Sequence, residues 1–173
     1  IVGPSGGGKS TLCNLIARFW DVDAGRVTLG GVDVKEYSMN SLMSNFSFVF
    51  QTVYLFADTI ENNIKFGRQD ATHEEVVEAA KKACCHDFIM KLPEGYDTVI
   101  GEGGGSLSGG ELKRIEIAMI TARGTKLSIF DEPEAGIDLW SFQNLIQVFE
   151  QMHEQTQGSI VIISHQERIL NIA

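Results

Sequence analysis

The run Gly3-Pro4-Ser5-Gly6-Gly7-Gly8-Lys9-Ser10-Thr11 constrains this chain more than any other stretch. It fits the pattern G-x-x-x-x-G-K-[ST] at every fixed position. Apolar Ile1-Val2 precede it, as the end of a buried strand would. Leu12, Leu15, Ile16, Phe19 and Trp20 follow at helical spacing, so a helix is expected to start at about Lys9. The glycines let the backbone bend until several N–H groups face one anion. The helix N-terminus adds the positive end of its dipole. In such a loop Lys9 reaches the β- and γ-phosphates of a nucleotide, and the Ser10 hydroxyl meets Mg²⁺. A flexible glycine-rich linker has no need of strand, Lys-Ser pair and amphipathic helix in register.

The chain has 173 residues, one ordinary domain's worth. Its net charge of -9 leaves no basic field to displace counterions, which argues against nucleic acid as a partner. Cys13, Cys84 and Cys85 make no disulfide framework, so a reducing setting is expected. Cys84-Cys85-His86 does not read as a metal cluster, because adjacent ligands rarely fit one tetrahedral ion. A helix-borne pair of small residues is expected instead. No apolar run approaches the length of a membrane span and no signal peptide is present, so a membrane role is expected to come through a partner. The chain begins without Met and, at Ile1-Val2, inside an element; it is expected to be a piece of a longer protein.

Arg26–Leu29 and Val32–Val34 flank Gly30-Gly31, a two-residue hairpin signal. Asn45 to Phe50 reads as a strand feeding into Gln51. Tyr54-Leu55-Phe56 is an aromatic cluster where a surface loop should be, either a local plug or a docking patch. Thr72-His73-Glu74-Glu75 is a capping box, and Val76, Val77, Ala80, Ala83 and Cys84 give a helical stripe, with Glu78 and Lys82 paired at i,i+4. Pro93-Glu94-Gly95 breaks the helical part that ends at Leu92. The glycine-rich stretch 101–105 leads to Leu107-Ser108-Gly109-Gly110-Glu111, where Ser108 caps a helix with Leu112, Ile115, Met119 and Ala122 on one face. Leu127 to Phe130 is an apolar strand ending in Asp131-Glu132, where α/β sheets bind ligands. Asp138 begins the next helix, Gly158 closes it after Gln157, and Ser159 to Ile163 is a last strand followed by Ser164-His165. Alternating strands and helices imply a mostly parallel sheet covered on both faces.

The P-loop, Gln51 after its strand, Leu107-Ser108-Gly109-Gly110, Asp131-Glu132, Asp138 and His165, in that order, resemble the nucleotide-binding domain of ABC ATPases over nearly the whole chain. The resemblance implies an α/β P-loop NTPase fold, a parallel sheet flanked by helices, with truncated N- and C-terminal strands. Residues 1–50 and 111–173 would form the ATPase core, and residues 51–110 a helical subdomain carrying the LSGG segment at its end. It further implies that Gly3, Pro4, Ser5, Gly6, Gly7, Gly8, Lys9, Ser10 and Thr11 hold ATP. Ser10 and Gln51 would meet Mg²⁺, with Asp131 through a water. Glu132 would be the general base, and His165 would touch the γ-phosphate and align the attacking water. Ser108, Gly109 and Gly110 would bind the nucleotide of a second copy, homodimer or heterodimer, with Asp138 at the interface between the two sites. The aromatic that stacks on adenine would lie before Ile1.

Within the family, Tyr54-Leu55-Phe56, Asp58 to Ile64, Leu92-Pro93-Glu94-Gly95-Tyr96-Asp97-Thr98 and Gly101-Glu102-Gly103 look exporter-like. That likeness implies a membrane-spanning partner domain docking near Tyr54 and Phe56, and a place at the cytoplasmic face of a membrane. The later part departs: Glu111 stands where Gln is usual, and Asp131-Glu132-Pro133-Glu134-Ala135-Gly136-Ile137-Asp138 is closer to soluble ABC ATPases of iron–sulfur assembly. The boundary falls near Gly110, as a divergent lineage or a recombinant would give. Three functions follow: an exporter motor, a soluble ATPase of a cytosolic assembly scaffold, and a clamp that uses ATP only to dimerise.

Overall fold

The computed structural model describes residues 1–4, 6–101, 107–155 and 158–171. Ser5, the Glu102–Ser106 part of the second glycine-rich stretch, and Gln157 lie outside the described residues.

The chain opens on the P-loop and helix α1 (Lys9–Ile16), entered through Gly8 in the left-handed region at φ 80°. The expected start at Lys9 is where the helix begins. Its end is earlier than the apolar spacing suggested, because Arg18 takes a positive φ of 56° and turns the chain, leaving Phe19 and Trp20 beyond the helix. Ile1-Val2 is not a buried strand: both residues are exposed, and the Ile1 amino group donates to the Ile162 carbonyl.

β1 (Thr28–Leu29) and β2 (Val32–Asp33) pair antiparallel around Gly30 and Gly31, whose φ values of 60° and 86° are those of a primed turn. Helix α2 (Met39–Met43) leads to β3 (Phe46–Val49). Helices α3 (Ile60–Lys65), α4 (His73–Lys82) and α5 (His86–Ile89) follow, then α6 (Gly109–Arg123), β4 (Leu127–Asp131), α7 (Leu139–Gln155), β5 (Ser159–Ile163) and α8 (Glu167–Leu170). β3, β4 and β5 form a parallel sheet with β4 in the centre. One face, with Phe46, Ile129 and Ile163, packs with Cys13, Val34 and Leu42. The other, with Val49 and Phe130, joins a larger core from Ile64, Val76 and Ile89 through Ile115 to Val148 and Phe149. The central strand is therefore apolar on both sides, as its sequence reads.

Thr72 caps α4 in the expected capping box with Glu75. Two local expectations differ. Glu78 pairs with Lys81, one residue nearer than Lys82. Cys84 and Cys85 are not on a helix: α4 ends at Lys82, Cys84 turns the chain at φ 51°, and Cys85 is buried at the start of α5, its thiol pushed up to about 12 by burial.

Helix α6 packs against α3, α4, α7 and β3 and ends where Gly124 takes φ 65°. The turn after α3 comes close against it, so that a Cβ on Gly67 would run into the Met119 carbonyl. Gly67→Ala is expected to destabilise the fold by about 1–3 kcal/mol through forced separation of that turn from α6. A denaturation midpoint equal to the parent's would contradict this packing.

Candidate nucleotide site

The parallel register sets the site. Val49 lies opposite Phe130, and Asp131 opposite Ile163, so the three strands end within one residue of one another. The residues just past those ends are Gln51, Glu132 and His165, drawn from positions 33 to 114 residues apart in sequence. The Gln51 Nε2 donates to Glu132 Oε2 at 3.3 Å, and His165 Nε2 lies 3.0 Å from Glu132 Oε1. Both carboxylate oxygens of Glu132 are thus engaged from opposite sides. Its backbone is left-handed, φ 45°, and its amide donates to the Ile163 carbonyl at 2.9 Å. A non-glycine residue held there stores strain, a condition concentrated at functional sites.

Asp131 completes β4, and its Oδ1 is buried with no hydrogen-bond partner. It lies close enough to α1 to act on Cys13: burial, and then the Asp131 charge, push that thiol up. The strand-end carboxylate therefore faces the helix that begins with Lys9 and Ser10. The Lys9 ammonium, mostly buried, donates to the Gly3 and Pro4 carbonyls at 3.0 Å each. Gly6 and Gly8 have φ 75° and 80°, so the loop uses the freedom that its glycines give.

The second glycine segment is a separate cluster. Ser108 accepts from the Glu111 amide, while its own amide and hydroxyl donate to Glu111 Oε2, both at 2.8 Å. Ser108 is thus the expected cap, with Glu111 closing a capping box. Gly109 approaches the Gly136 carbonyl, and Gly110 has Ser141 where a side chain would stand. Asp138 accepts from the Trp140 and Ser141 amides at 2.9 and 3.0 Å and from the Ser141 hydroxyl at 2.7 Å. Those bonds, from Ser141 above all, hold its carboxyl below the usual range. Leu139 and Trp140, beside it, are 70% and 83% exposed. Among the described residues no hydrogen bond joins Ser108–Gly110 to the P-loop of the same chain.

Three features were not read from the sequence. Glu134 Oε1 accepts from the Ser164 hydroxyl and, at 3.4 Å, from the His165 amide, so it holds the turn that carries His165. Arg114 donates to the Cys84 carbonyl at 2.6 Å and to the Gly110 carbonyl at 3.4 Å, with its guanidinium over the Phe88 ring. Lys113 and Glu116 are 1% and 2% exposed and paired at 3.1 Å. Burial pushes the Glu116 carboxyl up against the pull of Lys113. The available signal was two charges at i,i+3 amid Ile115, Ile117 and Ala118, which also fits a solvated face.

The sequence model of the ABC transporter family matches residues 1–135. A putative multidrug export ATP-binding/permease protein of Bacillus subtilis, YgaD, is 42% identical over 98% of this chain, which spans 30% of YgaD. A similarly described protein of Staphylococcus aureus is 44% identical over 99% of the chain, again 30% of its own length. An uncharacterized ABC transporter ATP-binding protein of Sinorhizobium fredii is 45% identical over 95% of the chain and 28% of that protein. The solved structure of a bacterial Atm1-family ABC exporter with ATP bound superposes with a TM-score of 0.87, at 37% identity, over 99% of this chain and 29% of that one. These matches run through the boundary near Gly110 without a break in coverage. The chain thus spans less than a third of the length of these relatives, and it belongs to the ABC transporter family as an ATP-binding, ATPase domain.

Proposed function

We propose that the chain is the motor of a membrane exporter: two such domains close over two ATP molecules, and hydrolysis drives export through a membrane-spanning partner domain at the cytoplasmic face. The observation that carries this reading is the convergence of Gln51 and His165 on the two oxygens of Glu132. The exporter descriptions of the relatives support the direction of transport. No helix among the described residues is long and apolar enough to cross a membrane, so the membrane-spanning element belongs to a partner domain in this reading.

The roles follow from position. Gly3, Pro4, Ser5 and Gly6 to Thr11 hold the triphosphate, with the α1 N-terminus facing it. Glu132 takes the proton of the attacking water, and His165 and Gln51 fix its direction so that little reorganisation remains. Mg²⁺ is general for such domains, and these residues fit it: hydroxyl, amide and carboxylate oxygens suit a hard cation, and Asp131 has a buried oxygen without a partner. Ser10, Gln51 and Asp131 would hold the ion, which neutralises charge on the β- and γ-phosphates. Ser108, Gly109 and Gly110 address the nucleotide of the second copy from an exposed helix start, and Asp138 shapes the turn beside them. The division into a core of residues 1–50 and 111–173 and a helical subdomain of 51–110 belongs to the same reading.

The docking patch has support of its own. Tyr54 is 63% exposed and meets Phe50 edge-on, and Phe56 lies 4.3 Å, centroid to centroid, from exposed Phe66. Buried Asn63 holds the Phe56 backbone at both ends, accepting from its amide at 2.8 Å and donating to its carbonyl at 3.0 Å. An apolar patch kept rigid and exposed marks an interaction surface.

Glu132→Gln should leave ATP binding intact and slow turnover by roughly 10²–10⁴, or ~3–5 kcal/mol of barrier; phosphate release near the parent rate would remove Glu132 from its role. Asp131→Asn should unfold at or above the parent temperature without nucleotide, since it removes a charge from a carboxylate with one buried, unpartnered oxygen, yet lose the added stabilisation by Mg²⁺ with ATP. A thermal shift with Mg²⁺–ATP as large as the parent's would sink that assignment. With Trp20→Phe in place, Trp140 emission should shift to the blue when ATP traps the Glu132→Gln form as a dimer; unchanged emission on a chromatographically dimeric sample would place Trp140 outside the contact.

A further inference from the structure

Lys113 and Glu116 form a charged pair in the core, on the helix that begins at Ser108. Burying two charges is unfavourable unless every donor and acceptor is used, and replacing such a pair by apolar residues is often neutral or stabilising. Buried Ile115, Ile117 and Ala118 stand beside the pair on α6, and none of them offers a charge a partner.

What uses the charges is the segment after β3. The Lys113 ammonium donates to the Phe50 carbonyl at 2.6 Å, the Gln51 carbonyl at 3.4 Å and Glu116 Oε2 at 3.1 Å. Glu116 Oε1 accepts from the Tyr54 amide at 3.3 Å. One turn of α6 thus grips the bend on both sides, before it through Phe50 and Gln51 and after it through Tyr54. At the first grip stands Gln51, exposed, with its side chain on Glu132. The backbone there has left the strand ladder, so its carbonyls and amide need partners from elsewhere.

We infer that Lys113 and Glu116 are positioning residues: the pair fixes the backbone of Gln51 to α6 and thereby sets where its side chain stands against Glu132. A pair that merely filled the core would stabilise the fold without acting through Gln51. The inference rests on the proposed role of Gln51, and the test separates the two.

In the full-length protein, Lys113→Met/Glu116→Leu removes both charges and is expected to fold, with some loss of stability from the backbone groups left without partners at Phe50, Gln51 and Tyr54. Turnover should fall by roughly 10-fold or more, while KM for ATP stays within about twofold. The decisive comparison adds Gln51→Ala. If the pair acts through Gln51, the triple variant is no slower than Gln51→Ala alone; independent effects would multiply. Parent-like turnover in the folded double variant overturns the inference, and so does a multiplied loss in the triple. Parent-like turnover in Gln51→Ala alone overturns the proposed role of Gln51 together with it. If the double variant does not fold, Lys113→Met alone, which removes the donor to the Phe50 and Gln51 carbonyls, takes its place: reduced turnover that Gln51→Ala does not deepen supports the inference, and parent-like turnover or a multiplied loss overturns it.

Discussion

Parallel pairing of three strands with β4 in the middle is the constraint from which the site follows. Parallel strands run the same way, so their carboxyl ends lie on one edge of the sheet. Here the register brings those ends within a residue of one another, and Gln51, Glu132 and His165 lie one or two residues beyond them. A shift of β3 or β5 by one residue would turn each strand's side chains to the other face. The apolar packing on both faces therefore guards the chemistry: Val49 and Phe130 on one side, and Phe46, Ile129 and Ile163 on the other, admit a single alignment.

Stability and function pull apart at the end of β4. Asp131 and Glu134 each leave a buried oxygen without a partner, and Glu132 bends into the left-handed region. None of these helps the fold by itself, and strain of this kind persists only where surrounding structure over-determines it. The hydrogen bond from the Glu132 amide to Ile163 and the grip of Glu134 on the Ser164–His165 turn supply that restraint.

Much of this was legible in the sequence. The helix start at Lys9, the Gly30-Gly31 hairpin, the Thr72 box, the Ser108 cap and the apolar strand into Asp131-Glu132 are local signals, read from residue types within one turn or one strand. The order of the motifs along the chain carried the family. Two of the misreadings have a common cause, since periodicity does not mark where a helix stops. Arg18 and Cys84 turn the chain without a glycine, which left Phe19, Trp20 and the cysteine pair assigned to helices they do not join. The partners of Lys113, Glu134 and Arg114 lie 30 or more residues away for the bonds that matter, and no spacing rule reaches that far.

Helix α6 has a mechanical character that follows from its bonds. On one side Arg114 fastens it to the bend at Cys84, with Phe88 beneath the guanidinium; on the other, Lys113 and Glu116 of the same turn fasten it to the loop ahead of Tyr54. Successive residues at 113 and 114 thus bolt the same rod to two different parts of the molecule. Among the described residues, the Tyr54 amide is tied through Glu116 to the same helix that Ser108 caps, so a rigid-body shift of that rod would carry the aromatic edge and the serine at its tip together.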